Sequence, residues 1–173
     1  MRTVLATILV LVISFNVNAQ RLVKNEVDEF TGTTIKATNT QSLKTNMIGL
    51  GIGIYFKRVD DRISVWLPFT TSSITNVSEG STVWIKTTDS IYRFTNLRTS
   101  VASYRVSQGS TIWSNTVRLE MTPELKNILF FANIVAIRIE NNKQDNPYLD
   151  FKMPKKMERK KASIREMIQL VES

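Results

Sequence analysis

The sequence predicts an α+β fold: a single twisted, mostly antiparallel β-sheet of about six to eight strands, partly covered by two short helices. Three observations predict it. Between Met47 and Thr70 two runs alternate apolar with other residues at a period of two. Further strand-like runs then recur at the spacing of an antiparallel meander, separated by polar or glycine-containing turns. Helical spacing occurs only after Thr122 and after Lys155.

The Met47–Thr70 stretch reads as a β-hairpin. Ile48, Leu50, Ile52, Ile54 and Phe56 alternate with Gly49, Gly51, Gly53 and Tyr55, and Ile63, Val65, Leu67 and Phe69 alternate with Ser64, Trp66 and Pro68. A loop of Asp60-Asp61 pairs Phe56 with Val65, Ile54 with Leu67 and Ile52 with Phe69, so that both apolar sets share a face. A loop longer by one residue would put them on opposite faces. On the other face Tyr55 opposes Trp66, and the three glycines leave a trough without side chains. Glycine weakens a strand interior unless something approaches closely. Two readings of the trough follow: an aromatic or helix packed onto it, with Trp66 expected over Gly53, or a ligand groove. Gly49-x-Gly51-x-Gly53 is not a dinucleotide fingerprint, because the strand continues where a helix would have to start.

The other elements can be placed in order. Glu26–Ala37 reads as a first strand broken at Gly32, and Thr71–Gly80 as a polar connection. Val83–Phe94 reads as a second hairpin turning near Asp89-Ser90, and Val101–Val106 with Trp113–Met121 as two strands around a turn containing Gly109. Thr122-Pro123-Glu124 is a helix start, with a hydroxyl N-cap, proline at the first position and an acid in the first turn. Leu125, Ile128, Leu129 and Ala132 form its apolar face. Ile134–Glu140 returns to strand character, Asn141–Pro147 is a loop, and alternating Leu149, Phe151 and Met153 suggest a last strand. The tail, about residues 155–172, is a basic amphipathic helix striped by Met157, Ile164, Ile168 and Val171. Ser163-x-x-Glu166 is a capping box that would start its ordered part.

Residues 1–19 read as a secretory signal peptide, with Arg2 as the positive region, Val4–Phe15 as the apolar core and Val17-Asn18-Ala19 as the cleavage site; a retained anchor is the competing reading. The mature domain, 20–173, is then expected to be secreted or periplasmic, with no transmembrane segment of its own. The chain has no cysteine, so neither disulfides nor a lipid-modified cysteine are available to it.

The chain also has no histidine, which removes Ser-His-Asp and Cys-His nucleophile systems and the usual transition-metal ligands; only oxygen-ligand metals such as calcium remain. No phosphate-binding loop, EF-hand or nucleophile elbow occurs, and no cofactor is expected. Asp28-Glu29 and Asp60-Asp61 are the acidic pairs. Neighbours on a strand point to opposite faces, so the first is read as a solvated strand start and the second as a turn. Val27-Asp28-Glu29-Phe30-Thr31-Gly32 resembles a segment found soon after the signal peptide in small exported bacterial α+β proteins with no assigned activity. The resemblance implies an exported bacterial domain and no chemistry.

Formal net charge is +8, of which residues 151–173 contribute half. Lys155, Lys156, Lys160 and Lys161 are candidate anion-binding residues, against the alternative of a solvated helix face. Tyr55, Trp66, Trp84 and Trp113 are candidate ligand contacts, with Tyr92 and Tyr104 beside them. Nucleic acid is not an expected partner, since no aromatic–basic stacking motif is present. The sequence favours an exported non-enzymatic binding domain whose partner is a protein or glycan of the cell envelope. The alternatives are a carboxylate-based hydrolase and a protein docking on anionic lipid or glycan through its basic tail.

Overall fold

The structure is a computed structural model that describes residues 21–47, 49–107, 109–154 and 158–173. Among these residues there are eleven strands and two helices. The strands are β1 (Leu22–Val27), β2 (Thr34–Thr38), β3 (Gln41–Thr45), β4 (Gly51–Val59), β5 (Arg62–Thr71), β6 (Thr82–Thr87), β7 (Ile91–Thr95), β8 (Ser103–Ser107), β9 (Ser110–Glu120), β10 (Ile134–Glu140) and β11 (Tyr148–Lys152). The helices are α1 (Pro123–Phe131) and α2 (Glu158–Glu172).

The α+β class, the antiparallel pairing and the two helices are as the sequence predicts. The strands, however, divide between two sheets instead of forming one. A seven-stranded sheet runs β1-β2-β4-β5-β9-β8, with β3 sharing the edge of β4 that β2 uses, and a four-stranded sheet runs β11-β10-β6-β7. The division has a packing cause. Alternation gives each sheet one apolar face, and the two faces bury one another in a single cluster in which Phe69 and Phe151 lie 5.9 Å apart.

The central hairpin has the predicted register. Ile52 pairs with Phe69, Tyr55 with Trp66, Phe56 with Val65 and Val59 with Arg62, leaving Asp60-Asp61 as the turn. Ile54 and Leu67, opposite one another on this register, are both buried. Asp60 adopts the left-handed conformation (φ 51°) that a tight turn demands. The same residue ties in β2, since Asp60 N–H donates to the Thr34 carbonyl and Thr34 N–H donates to Asp60 Oδ1.

Three local expectations are corrected. The stretch Glu26–Ala37 is not one broken strand but parts of two, β1 and β2, folded back at Val27-Asp28-Glu29-Phe30-Thr31-Gly32. Asp28 Oδ1 accepts from the Phe30 and Thr31 amides, and Gly32 takes φ 69°. Asp28-Glu29 is thus turn chemistry rather than a strand start, and these hydrogen bonds, led by Thr31, hold the Asp28 carboxyl below its ordinary value. Second, β3 is a strand that alternation did not reveal. Third, α2 is already helical at Glu158, so Ser163 is not a cap; its hydroxyl donates to Gln41 Oε1 on β3.

Both helices cover the core side. Thr122 Oγ1 accepts from Leu125 N–H as the predicted N-cap, and Leu125, Ile128 and Leu129 are buried. α2 buries Ile164, Met167, Ile168 and Val171, a stripe widened by Met167; Met157 lies outside the described residues. The helix ends are satisfied by arginines from elsewhere in the chain. Arg58 Nη1 donates to the carbonyls of Val171 and Glu172, and Arg165 Nε donates to the Phe130 carbonyl. Among the described residues no helix is long and apolar enough to cross a membrane.

Truncation of Ile54 to Ala should cost roughly 2–5 kcal/mol in denaturant unfolding. Ile168→Asp should be at least as damaging, because it places an unpaired charge against the sheet. An unchanged melting temperature for Ile168→Asp would show that α2 does not depend on this contact.

Candidate functional site

With the cores of both sheets facing inward, no helix or second sheet among the described residues is packed on the outer face of the seven-stranded sheet. The register decides what it displays. On β4 the outward set is Gly51, Gly53 and Tyr55; on β5 it is Trp66, Pro68 and Thr70; on β9 it is Ser114, Thr116 and Arg118.

The glycine trough is partly filled and partly open. β3 crosses directly over Gly51, where a Cβ would overlap the Lys44 carbonyl and lie 2.9 Å from Thr45 Cα. At Gly53 a Cβ would lie 2.8 Å from Thr40 Cγ2 and 3.5 Å from Pro68 Cγ. The covering of Gly53 therefore comes from Thr40 and Pro68, not from Trp66 as the sequence suggested. Trp66 instead stacks on Tyr55, with ring centroids 5.6 Å apart and planes 16° from parallel.

Beside this crossing lies an open hollow of about 390 Å³. Its lining combines Gly49, Gly51, Gly53, Ile52, Pro68 and Phe69 with Thr40, Ser42, Thr45, Thr70, Ser114 and Thr116, and with Arg105; most of the lining surface is apolar. Thr70 Oγ1 fixes one wall by donating to the Gly49 carbonyl and accepting from Gly51 N–H. Thr116 also lines a second hollow of about 430 Å³, formed with Trp66, Arg118, Arg98, Thr99, Ser100 and Val101. The two hollows adjoin at Thr116 and together make up the groove face, with Gly49 and Arg105 in the first and Trp66 and Arg98 in the second.

The groove's charge is uncompensated. Among the described residues no carboxylate pairs with Arg98, Arg105 or Arg118, and no acidic residue lines either hollow. The Arg118 guanidinium lies 5.4 Å over the Trp66 ring, while its buried Nε has no hydrogen-bond partner. Burial alone holds the Tyr55 phenol above its ordinary value, so it stays neutral.

Two buried asparagines, which sequence reasoning missed, hold the groove's rim. Asn96 Nδ2 donates to the Ser78 and Arg98 carbonyls at 2.7 Å each, and its Oδ1 accepts from Arg118 N–H. Asn115 Nδ2 donates to the carbonyls of Thr75 and Ser100. They clamp the connection after β5 and the segment after β7 to β9. An asparagine at an inward position of an alternating strand, as Asn115 is, was the available signal.

The structure brings together only two of the four aromatic candidates. Tyr55 and Trp66 share the groove face. Trp84 lies on the outer face of the four-stranded sheet, in edge contact with Tyr148 at 5.6 Å. Trp113 packs on Tyr104 at 5.2 Å, on the face of β9 opposite Ser114 and Thr116. Tyr92 is half-buried against the core.

The lysine candidates are corrected in part. Lys155 and Lys156 lie outside the described residues. Lys160 turns inward, where Nζ donates to the Leu43 carbonyl and burial pushes its pKa down, and Lys161 is only 9% exposed. Neither belongs to an open anion-binding face. Both acidic pairs lie in turns, Asp28-Glu29 against expectation and Asp60-Asp61 as expected. Glu120 and Glu124 line one shallow groove, but both are exposed. Asp150 is held below the ordinary carboxylate value by its hydrogen bonds from Arg138, and Asp28 is lowered as well, the opposite of the displacement a general acid needs. Among the described residues no group of three or more acidic, histidine or cysteine side chains is placed to hold a metal ion.

Comparison of the chain with protein-family models, with curated proteins and with solved structures finds no match.

Two outcomes follow from this geometry. Gly51→Ala should loosen β3 from β4, seen as faster hydrogen exchange of the Gln41–Thr45 amides with the β5–β9 amides unaffected; unchanged exchange would contradict the close crossing. Asn96→Ala strands one buried donor and two acceptors, and should cost about 2–4 kcal/mol, read by denaturant unfolding.

Proposed function

We propose that this chain is an exported, non-enzymatic binding domain of the bacterial cell envelope, and that its ligand is a glycan strand lying along the outer face of the seven-stranded sheet. The observation that carries the reading is the pair of adjoining hollows: a mostly apolar, glycine-floored surface edged by threonine and serine, beside a tryptophan stacked on a tyrosine. The threonine and serine hydroxyls at its edge exchange hydrogen bonds with sugar hydroxyls, and apolar and aromatic surface packs against the apolar face of a sugar ring. Uncompensated Arg98, Arg105 and Arg118 favour a glycan that bears acidic groups.

Export rests on the leader-like residues 1–19, which lie outside the described residues, and on the resemblance of Val27-Asp28-Glu29-Phe30-Thr31-Gly32. The absence of histidine and cysteine, together with the lowered pKa of Asp28 and Asp150, weighs against the hydrolase alternative. The inward turn of Lys160 and the burial of Lys161 weigh against docking through the tail.

Calorimetric titration of residues 20–173 with soluble peptidoglycan strands and with acidic and neutral oligosaccharides tests the reading. Binding should be strongest for acidic chains of several sugars. Thr116→Trp, which fills the junction of the two hollows from outside the core, should weaken binding about tenfold or more while leaving the melting temperature nearly unchanged. Failure of every saccharide to bind, or full affinity in Thr116→Trp, would overturn it.

A further inference from the structure

The outer face of the four-stranded sheet faces away from the core and plays no part in the groove. Strand pairing arranges its side chains in two adjacent rows. In one row Asp150, Arg138, Trp84 and Arg93 stand opposite one another across β11, β10, β6 and β7. In the next, two residues along each strand, stand Lys152, Ala136, Lys86 and Ile91. Ala136 is the small member of both neighbourhoods. Its methyl forms the floor of a hollow of about 370 Å³ walled by Trp84, Lys86, Ile91, Arg93 and the Arg138–Asp150 pair.

The wall is fixed and the charge is not balanced. Arg138 holds Asp150 through two hydrogen bonds of 2.6 and 2.8 Å and lies 5.2 Å over Tyr148, which in turn packs against Trp84. One cation of the hollow is thereby neutralised. Lys86 and Arg93, on diagonal positions of neighbouring strands, and Lys152 next to Ala136 are exposed and have no ion-pair partner among the described residues. Ile91, 61% exposed, adds an apolar surface beside them. An indole, an exposed isoleucine and unpaired cations around a floor of one methyl group suit a ligand that is flat and apolar on one side and anionic at one edge.

We propose that this hollow is a second binding site, taking a single ring that carries an oxyanion, carboxylate or phosphate. The ring lies against Trp84 and Ile91, and the anion sits between Lys86 and Arg93. The site is independent of the groove on the other sheet.

Heteronuclear NMR titration of residues 20–173 with glucuronate, glucose 6-phosphate, glucose, acetate and inorganic phosphate tests the proposal. Saturable shifts at the Trp84 indole and Ala136 are expected with one or both charged sugars; which one binds identifies the carboxylate or the phosphate as the source. Glucose, acetate and inorganic phosphate should bind about tenfold more weakly or worse, because each lacks one half of the recognition. The Lys86→Gln/Arg93→Gln double variant, altered only at exposed positions, should lose about tenfold in affinity or more. Thr116→Trp should bind as the unaltered chain does, even if the glycan reading of the groove fails. Absence of shifts with both charged sugars, equal affinity for acetate or inorganic phosphate, full affinity in the double variant, or loss of binding in Thr116→Trp would each overturn the proposal.

Discussion

The two-residue turn at Asp60-Asp61 is the constraint on which the rest depends. Its length sets the parity of the β4–β5 pairing, and parity decides which residues enter the core. With Phe56 opposite Val65, the alternating set Ile52, Ile54, Leu67 and Phe69 faces inward, and Gly51, Gly53, Tyr55 and Trp66 face outward. A slip of one residue would exchange the two sets, burying a glycine-and-aromatic face and exposing the isoleucines. The turn also anchors its surroundings. Asp60 exchanges two hydrogen bonds with Thr34, and the neighbouring Arg58 reaches the last carbonyls of α2. Strand register, sheet edge and C-terminal helix are thereby fixed at one corner.

What was legible in the sequence was local. Both long hairpins, the Gly109 turn, the Thr122 cap and the Ile134–Glu140 strand follow from periodicity and turn chemistry, which act over a few residues. The division into two sheets did not follow, because alternation marks an inward face without saying which partner covers it. β3 was hidden for a different reason: Gln41-Ser42-Leu43-Lys44-Thr45 buries only Leu43. It is a strand because its backbone fits over glycines of β4, a property of the neighbour rather than of its own side chains. The start of the tail helix was hidden in the same way. Ser163 resembles a cap in sequence, yet its hydroxyl is satisfied by Gln41, more than a hundred residues earlier.

The candidate site was legible in its floor but not in its walls. Glycines at 49, 51 and 53 announced a close approach, and the structure shows both the approach and the hollow beside it. The threonines and serines beside that floor come from Thr40 and from β3, β5 and β9, which only the sheet order brings together. Grouping the tryptophans by residue type put Trp66, Trp84 and Trp113 into one set, and the fold separates them onto three surfaces. What an aromatic contributes is set by its strand and parity, and the identity of its cross-strand neighbours: Arg118 for Trp66, Arg138 and Arg93 for Trp84.

Those neighbours also relocate the protein's charge. The sequence concentrates lysine in the tail, which suggests a basic terminal arm. In the fold Lys160 reaches β3 and Lys161 is buried, while Arg98, Arg105 and Arg118 stand on one outer face and Lys86, Arg93 and Lys152 on the other. An exposed cation beside a fixed aromatic is a more selective element than one on a solvated helix, because ring and charge must be met at once. An arm of lysines would bind any anionic surface and release it with salt. On the binding readings proposed above, two sheet faces that each place tryptophan beside unpaired arginine would select a ligand with a shaped apolar side as well as a charge. Net positive charge in this chain is therefore distributed over two sheet faces as well as the tail.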